Sequence, residues 1–270
     1  MTSELSDLTA AIATVPVWYH TLDLGGVITP GWFDYREALD KLPWPDVKGK
    51  RCLDVGTYDG QFAFELERRG AAEVIAIDIN DHRAWDWPWR ARVSGPAGLT
   101  KEFGERQGNG FAVAAAALGS SVKMHTLSVY DLTPEQFGTF DVVTMGSLTL
   151  HLREPMRALA AIRSVTTGWF MSAEQIDLPL TVRHRRQAVM RFDGLSELTQ
   201  WSVPNLKAYR AMITAAGFDI QQATRPYGIP WGPAHPVPTM ATKLRPSNLV
   251  SRALAGEGLA HAAVLTTPAP

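Results

Sequence analysis

The chain has 270 residues, of which 46% are hydrophobic and 20% are charged, and its formal net charge is −1. This length fits one large α/β domain or one domain with a cap, and the composition is ordinary for a globular protein with a substantial core. The near-neutral charge excludes a global field that would attract nucleic acid or anionic lipid.

The cysteine content and the hydropathy pattern point to a reducing, aqueous compartment. The single cysteine, Cys52, lies in an apolar run and cannot form a disulfide within the chain. The N-terminus lacks a basic region followed by an apolar core, and no apolar run reaches the roughly 20 residues that span a bilayer. We therefore expect a cytoplasmic protein that does not contact membranes.

The N-terminal region is predicted to be a helix followed by an aromatic cap. Apolar residues recur at helical spacing over residues 1–15. Residues 16–35 form a loop rich in aromatic residues and glycine, and such a loop is uncommon unless it covers a site. A helix over residues 35–42 then leads into the first strand of the core.

Residues 50–81 predict a β-α-β unit with a ligand site at its first turn. An apolar run, Cys52 to Val55, ends at the turn Gly56-Thr57-Tyr58-Asp59-Gly60, and a helical stretch follows. A second apolar run starts at Glu73 and ends in Asp78. Nucleotide-like ligands bind at the carboxyl ends of such parallel strands, where an acid accepts hydrogen bonds from ribose hydroxyls. The alternative is an ordinary strand–turn–helix without a ligand.

The acids around this turn distinguish between two kinds of nucleotide. A dinucleotide fold places a pyrophosphate at a Gly-x-Gly-x-x-Gly turn, whereas here the glycines are Gly56 and Gly60. Asp54 and Asp59 would repel an anionic pyrophosphate. A ligand with a cationic amino-acid tail and a free ribose fits better, and S-adenosylmethionine has both.

The remainder of the chain continues the alternation of strands and helices. Apolar runs predict strands over residues 122–127, 140–145, 169–173, 218–223 and 259–267, and helical patterns cover residues 111–118, 155–165, 181–191 and 204–216. This alternation predicts an α/β fold of the Rossmann-like type. We expect a doubly wound, seven-stranded, mostly parallel sheet with flanking helices and an N-terminal or inserted lid.

The expected organisation is one main domain preceded by a cap. Residues 1–45 would form the N-terminal helix and the aromatic cap loop, and residues 46–270 the domain that binds the cofactor. Insertions are expected at about 82–110, 178–204 and 225–258, where tryptophan, arginine or proline interrupts the regular pattern.

Several segments between Trp18 and Glu174 carry a family resemblance. They are Trp-Tyr-His-Thr-Leu-Asp-Leu (18–24), Pro30-Gly31-Trp32, the turn from Leu53 to Gly60, Asp78, Phe140-Asp141-Val142-Val143, Met145-Gly146-Ser147-Leu148, His151 and Pro155. The chain resembles class I S-adenosylmethionine methyltransferases, in particular a subgroup similar to the bacterial tRNA wobble-uridine carboxymethyltransferases. In this chain Tyr58 replaces the middle glycine of the family's Asp-x-Gly-x-Gly-x-Gly turn.

The resemblance implies which residues contact the cofactor. Trp32 would touch it from the N-terminal loop, Gly56 would lie against its methionine end, and Asp78 would hold the ribose. Val129 and Tyr130 would border the adenine, and Met145 would lie near the reacting methyl group. The full set of expected cofactor residues is Trp32, Asp54, Gly56, Thr57, Tyr58, Gly60, Asp78, Ile79, Val129, Tyr130 and Met145.

Ordinary methyl transfer is favoured over carboxymethyl transfer. The carboxymethyltransferase members carry a longer N-terminal region and basic contacts for a carboxylated sulfonium. Those basic positions are not recognisable here, because the loop over residues 16–31 is acidic or neutral.

Methyl transfer to a hydroxyl needs an aligned acceptor and a base or metal that helps to remove its proton. We expect His151, just after the fourth strand, to be the base and Glu174 to assist it; the alternative is a histidine that only shapes the adenosine pocket. Glu174 either orients His151, binds a divalent ion such as Mg²⁺ together with Asp177, or is a solvated carboxylate. The candidate metal ligands are therefore His151, Glu174 and Asp177, although their spacing is not diagnostic.

The acceptor is expected to meet His20, Tyr58 and Trp87. The tryptophans of residues 85–89 either stack on a planar base or on the apolar face of a sugar, or pack the edge of the sheet. The run Arg183-His184-Arg185-Arg186 either meets phosphates or is the solvated face of a helix.

The sequence favours an S-adenosylmethionine-dependent O-methyltransferase acting on a small-molecule hydroxyl, with a sugar or oligosaccharide as acceptor. Sugar methyltransferases of actinobacterial polysaccharide biosynthesis, including those that methylate mannose oligosaccharides, are similar in general appearance. The alternatives are a tRNA-modifying methyltransferase at a wobble uridine and a cofactor-binding regulator without catalysis. The neutral charge disfavours nucleic acid as a partner, and a homodimer is left open.

Overall fold

The computed structural model describes residues 2–89, 109–194, 200–235 and 246–270. In chain order the strands are β1 Trp18–His20, β2 Gly31–Phe33, β3 Arg51–Val55, β4 Glu73–Asp78, β5 Lys123–Thr126, β6 Phe140–Gly146, β7 Thr166–Gln175, β8 Met190–Phe192, β9 Ser202–Pro204, β10 Phe218–Ala223, β11 Tyr227–Ile229 and β12 Leu259–Pro268. The α-helices are α1 Thr2–Ala13, α2 Arg36–Leu39, α3 Gln61–Arg68, α4 Asn109–Leu118, α5 Pro134–Phe137, α6 Pro155–Val165, α7 Leu178–Arg183, α8 Leu206–Ala215 and α9 Pro246–Ala255. No helix of the described ranges is long and apolar enough to cross a bilayer.

The main sheet has the order β10-β12-β7-β6-β3-β4-β5, and β11 pairs with the first residues of β12, Leu259 to His261. Strands β3 to β7 are parallel to one another, whereas β12 is antiparallel to both β7 and β10. This is the predicted doubly wound, mostly parallel sheet, with β11 as an additional short strand. The chain leaves β3 toward β5 and then returns to the other side of β3 as β6, so the strand order reverses between β3 and β6. Ligands of such sheets bind at the carboxyl ends of the strands at this reversal.

The core lies on both faces of the sheet, because its central strands are buried on both sides. Leu53 and Val143 pack with residues of α6 and α8, whereas Cys52 and Val142 pack with residues of α1, α3 and α4. Parallel strands covered by helices on both faces have continuous apolar sequences, which is why β3, β4 and β6 are recognisable in the sequence.

The predicted helix over residues 181–191 is wrong in its second half. Helix α7 ends at Arg183, and residues 190–192 pair with β9 in a separate antiparallel ribbon. Asp177 caps the start of α7 by accepting the N–H of Leu180 at 2.9 Å. The same carboxylate binds Arg191 Nη1 at 2.6 Å, which holds the β8 strand beside the start of α7.

Two further predicted helices are shorter than expected. The helix predicted over residues 35–42 is reduced to Arg36–Leu39. Helix α8 starts after Asn205, whose side chain accepts the N–H of Ala208 at 2.8 Å, so Pro204 belongs to β9.

Each of the three predicted insertions lies partly outside the described residues. The parts that are not described are 90–108 of the insertion at 82–110, 195–199 of that at 178–204 and 236–245 of that at 225–258.

Candidate active site

The turn between β3 and α3 requires glycine at its ends. Gly56 and Gly60 have φ angles of +76° and +98°, and Tyr58 between them also has a positive φ of +48°. A Cβ atom on Gly60 would lie 2.2 Å from Cε2 of Phe64, so both the backbone conformation and the space exclude a side chain there. The turn thus exposes its backbone at the carboxyl end of β3.

Asp78 ends β4 beside this turn, and its carboxylate is held by backbone donors. Its Oδ2 accepts the N–H of Tyr58 at 2.7 Å, and its Oδ1 accepts the N–H of Ile79 at 2.6 Å. A carboxylate oxygen can accept more than one hydrogen bond, so these backbone contacts do not by themselves prevent Asp78 from binding a ligand hydroxyl. This is the position at which a ribose-binding acid was predicted.

A small, partly open cleft lies at the strand reversal. The turn after β3 and the end of β6 form one side, and residues from the N-terminal cap form the other. Its lining residues are His20, Tyr35, Asp54, Gly56, Thr57, Gln61, Phe62 and Gly146. The cap thus contributes His20 and Tyr35 to the lining of the cleft.

The floor of the cleft favours a cation. Asp54 is buried, and burial raises the pKa of its carboxyl to about 6, although the Thr144 hydroxyl donates to it at 2.8 Å. Gln61 is also buried, and its Oε1 has no hydrogen-bond partner within the described ranges. A buried acceptor without a partner is costly, so these oxygens suit a ligand that donates hydrogen bonds and carries positive charge. The ammonium group of an S-adenosylmethionine tail has both properties, and the residues present fit this cofactor.

The cap is fastened to the turn through Asp59. The N–H groups of Tyr19 and His20 both donate to Oδ2 of Asp59, each at 2.8 Å. Nδ1 of His20 contacts the other oxygen, Oδ1. Asp59 is 1% exposed, so the whole arrangement is shielded from solvent except at the imidazole that faces the cleft.

A second connection joins the cap to the turn after β6. The Tyr35 hydroxyl lies 2.9 Å from Ser147 Oγ, which in turn lies 2.8 Å from Nε2 of His261. Nδ1 of His261 is 2.9 Å from the carbonyl oxygen of Leu259 and must donate to it, so Nε2 accepts from Ser147. Ser147 Oγ then accepts from Tyr35. Burial lowers the pKa of His261 to about 4, so this histidine is neutral.

Glu174 is placed differently from its predicted role. Its carboxylate accepts the N–H groups of Leu148 and Thr149 at 3.2 and 3.0 Å and the Thr149 hydroxyl at 2.6 Å. It is fully buried, and burial raises its pKa to about 7. Glu174 therefore holds the backbone of the turn that leads into His151, rather than being a solvated carboxylate.

The structure gives no support for a magnesium site. Asp177, one of the metal candidates, uses one carboxylate oxygen to cap α7 and the other to bind Arg191. In the described part of the chain, His, Cys, Asp and Glu side chains do not gather in any group of three that could hold a metal ion. His151, Glu174 and Asp177 thus do not form the predicted ligand set.

Other predicted residues lie around the site rather than in the cleft. Met145 belongs to β6, and its side chain is fully buried in the core. The Tyr130 hydroxyl donates to Asp86 at 2.5 Å, and the preceding Val129 is buried in a 3₁₀ turn. The Trp32 ring packs edge-on against His235 with ring centroids 6.0 Å apart.

Trp87, predicted to meet the acceptor, is instead a packing residue. It is 5% exposed, its indole N–H donates to the carbonyl of His82 at 2.7 Å, and its ring stacks on Trp85. Little of this indole is left for a substrate. Trp89, at 75% exposure, extends into solvent.

Sequence reasoning missed several residues that line the cleft or are connected by hydrogen bonds to a lining residue. Tyr35, Gln61 and Ser147 lie within or next to the motifs but were not assigned, and His261 lies in the last strand. The partners of these side chains are remote in sequence: Ser147 is 112 residues from Tyr35 and 114 from His261. The positive φ of Ser147, +51°, is a backbone feature that only the structure reveals.

Comparisons with known proteins agree with this geometry. The sequence profile described as "Methyltransferase domain" matches residues 33–223. The N-terminal domain of EvdMO1, solved in the presence of S-adenosylhomocysteine and D-fucose, is 12% identical with a TM-score of 0.54, covering 99% of this chain and 97% of that one. The cyclase SpnF is 17% identical with a TM-score of 0.52, covering 98% and 94%. PH0226 from Pyrococcus horikoshii OT3 is 15% identical with a TM-score of 0.51, covering 87% and 91%. No curated protein matches significantly.

The fold and the site define a Rossmann-like methyltransferase architecture. Because the family profile covers well over half of the sequence, the chain belongs to the methyltransferase-domain family. It is an S-adenosylmethionine-dependent methyltransferase.

Proposed function

We propose that the protein is an O-methyltransferase that acts on a hydroxyl of a small molecule, with a sugar or oligosaccharide as acceptor. The observation that carries this proposal is the composition of the cleft. The turn after β3 forms its cofactor side, and His20 and Tyr35 of the cap form its other side. A donor and a small acceptor would therefore meet between the turn and the cap.

The residues for holding the cofactor are those of the turn and of β4. Gly56 allows close approach to the backbone, Asp54 and Gln61 face the ammonium group, and Asp78 accepts hydrogen bonds from the ribose. When bound, S-adenosylmethionine supplies an electrophilic methyl group on a sulfonium. The protein's own contribution is then to align the acceptor oxygen with that group and to exclude water.

Aromatic side chains in the cap support a sugar as acceptor. Tyr19 packs against Phe33 and Tyr58 with ring centroids 5.0 and 5.4 Å apart, and Phe33 packs against Trp231 at 5.5 Å. Tyrosine and tryptophan side chains combine apolar contact area with a hydrogen-bonding group. This combination suits a saccharide, which has apolar faces and hydroxyl groups at its edges. The presence of D-fucose in the crystals of the EvdMO1 domain, a protein of similar fold, agrees with this class of acceptor.

A hydroxyl acceptor must lose its proton as the new bond forms, so the site needs a base. Two histidines are candidates. His151 lies in the 3₁₀ turn after β6, on the backbone segment that Glu174 holds. His20 lines the cleft itself.

Two measurements test the proposed function. Isothermal titration calorimetry should detect binding of S-adenosylmethionine and S-adenosylhomocysteine, and the absence of both would overturn the proposal. Incubation with methyl-labelled S-adenosylmethionine should then transfer label to members of a panel of 4-nitrophenyl glycosides, and the product should resist alkaline hydrolysis as an ether does. Label appearing only in unmodified bulk tRNA would support wobble-uridine modification instead, and that activity should fall steeply with salt.

A further inference from the structure

We infer that His20 is the catalytic base of this methyltransferase. Asp59 is the residue that positions the His20 ring and stabilises the positive charge that the ring acquires when it takes up a proton. The inference rests on the proposed function, since a base is needed only if the acceptor is a hydroxyl. It replaces the expected role of His151 and gives the N-terminal cap a direct part in catalysis.

Asp59 acts as a hydrogen-bond acceptor toward the cap. Its Oδ2 accepts two backbone N–H groups, from Tyr19 and His20, each at 2.8 Å. Its side chain is buried, so these donors and the His20 ring are its immediate surroundings on this side. A carboxylate, being negatively charged, can only accept hydrogen bonds.

The tautomer of His20 follows from this charge. Nδ1 of His20 contacts Oδ1 of Asp59, and the contact is favourable only if Nδ1 carries the proton. Nε2 of the neutral ring then has a lone pair. This nitrogen makes no hydrogen bond with any other side chain or backbone group that the structure describes. The pair thus has the arrangement of an orienting carboxylate, a histidine and a free basic nitrogen that is used in nucleophile activation.

The position of His20 fits the task better than that of His151. His20 lines the cleft together with Gly56 and Gly146, the residues at the carboxyl ends of β3 and β6. Its side chain is 13% exposed, so it is reachable from the cleft but shielded from bulk water. Glu174, the acid predicted to orient His151, is used instead by the backbone of Leu148 and Thr149.

In the proposed step the acceptor oxygen forms a bond to the methyl carbon, and the carbon–sulfur bond breaks with its electron pair remaining on sulfur. The proton of the acceptor hydroxyl moves to Nε2 of His20, and the imidazolium is stabilised by the negative charge of Asp59. Loss of this proton to water restores the base.

The first test uses substitutions that separate the base from the structural contact. In His20→Asn the side-chain amide N–H replaces Nδ1–H as a donor to Asp59, but no basic nitrogen remains. We expect its turnover number for methyl transfer to 4-nitrophenyl α-D-mannopyranoside to fall roughly 10²–10³-fold at neutral pH, as for loss of a general base. The dissociation constant for S-adenosylhomocysteine should stay within about threefold, because tenfold corresponds to 1.4 kcal/mol and no cofactor contact is removed. His125→Gln is the matched control and should retain most activity, because this exposed histidine lies on the edge strand β5 and does not line the cleft.

The pH profile and chemical rescue distinguish a base from a structural histidine. In the wild type, methyl-transfer activity should fall at low pH as the base is protonated, and His20→Asn should lack this decrease. Added imidazole should restore part of the activity of His20→Ala. Asp59→Asn should shift the wild-type decrease to lower pH, because the imidazolium loses its negative partner. Unchanged turnover and an unchanged profile in His20→Asn, with the cofactor still bound, would overturn the inference but leave the proposed function standing.

A spectroscopic measurement makes the test independent of turnover. Long-range ¹H–¹⁵N NMR spectra of the labelled full chain should show His20 protonated at Nδ1 and not at Nε2. Observation of the Nε2–H tautomer would overturn the inference even if no methyl acceptor were found. Failure of the wild type to bind S-adenosylhomocysteine would instead overturn the proposed function.

Discussion

The backbone N–H of Tyr58 donates to Oδ2 of Asp78 over 2.7 Å, so the turn after β3 and the end of β4 fix each other. The hydrogen bond explains how a tyrosine is accommodated where the family's turn has a glycine. With a φ of +48°, Tyr58 adopts a left-handed conformation that costs free energy, and the charged acceptor at Asp78 offsets it. The ribose-binding acid and the glycine turn therefore form one structural unit.

Substitution Asp78→Asn is expected to weaken cofactor binding. The amide keeps one acceptor oxygen but presents an NH₂ group where the carboxylate had its second acceptor and its charge. Loss of a charged hydrogen bond is worth about 1.5–3 kcal/mol, so the dissociation constant for S-adenosylhomocysteine should rise roughly 10- to 100-fold. Calorimetry measures this directly. Asp81→Asn is the control, since Asp81 pairs with Arg83 at the surface, and equal affinities in the two variants would contradict the assignment.

Substitution Gly60→Ala is expected to destabilise the fold more than Gly49→Ala. Both glycines have positive φ angles, +98° and +69°, so both substitutions carry the backbone cost of about 1 kcal/mol. Only at Gly60 would the new Cβ collide with Phe64, whereas no atom lies within 4 Å of the corresponding position at Gly49. Overpacking adds about 1–3 kcal/mol to the loss of unfolding free energy. Urea unfolding of the two variants should show this difference, and equal midpoints would show that the turn can relax.

Substitution Ser147→Ala is expected to cost more stability than Tyr35→Phe. Removing the serine hydroxyl leaves both the Tyr35 hydroxyl and Nε2 of His261 without a partner in a buried location. Each such group costs about 1–3 kcal/mol, whereas Tyr35→Phe removes one donor and leaves only an acceptor lone pair on Ser147 unused. The order of the unfolding free energies, obtained from denaturant titrations, checks that Ser147 bridges the two side chains. A greater loss in Tyr35→Phe than in Ser147→Ala would contradict this bridging role.

Glu174 is expected to make stability fall as pH rises from about 4.5 to about 7. Its pKa is raised from 4.5 to about 7 by burial, so between these values the folded state holds a proton that the unfolded state has lost. The contribution of Glu174 to the unfolding free energy is therefore greatest below pH 4.5 and is lost as the pH rises toward about 7. Comparing urea unfolding of the wild type and Glu174→Gln at several pH values should show a dependence that the variant lacks. The exposed Glu135→Gln should behave like the wild type, and parallel curves for all three proteins would contradict the raised pKa.

The elements of the sheet could be predicted from the sequence because their signals are local. Strands β3, β4 and β6 are apolar runs that end at glycine or aspartate, and burial on both faces by helices requires that composition. The helix predicted to continue to Arg191 failed because the contacts that make β8 a strand come from elsewhere. Arg191 binds Asp177, and β8 pairs with β9, neither of which helical spacing reveals.

Contacts within the candidate site could be predicted from the sequence only where both contacting residues belong to the same motif. The turn and Asp78 belong to one β-α-β unit, so their proximity follows from the order of elements. The contact between His20 and Asp59 joins a cap to a turn 39 residues away, and both residues are ordinary in their local sequence. The exact partner of Glu174 likewise depended on where the chain after β6 turns back over β7.

The chain's single thiol has a practical consequence. Cys52, the second residue of β3, is fully buried, and burial raises the pKa of its thiol to about 12. The thiol is therefore neither accessible to reagents nor ionised at neutral pH. Maleimide reagents, which react with thiolates, should leave the native protein unmodified. A cysteine engineered on the surface of the cap would then accept a fluorophore alone, so cap movements could be followed by fluorescence without first replacing Cys52.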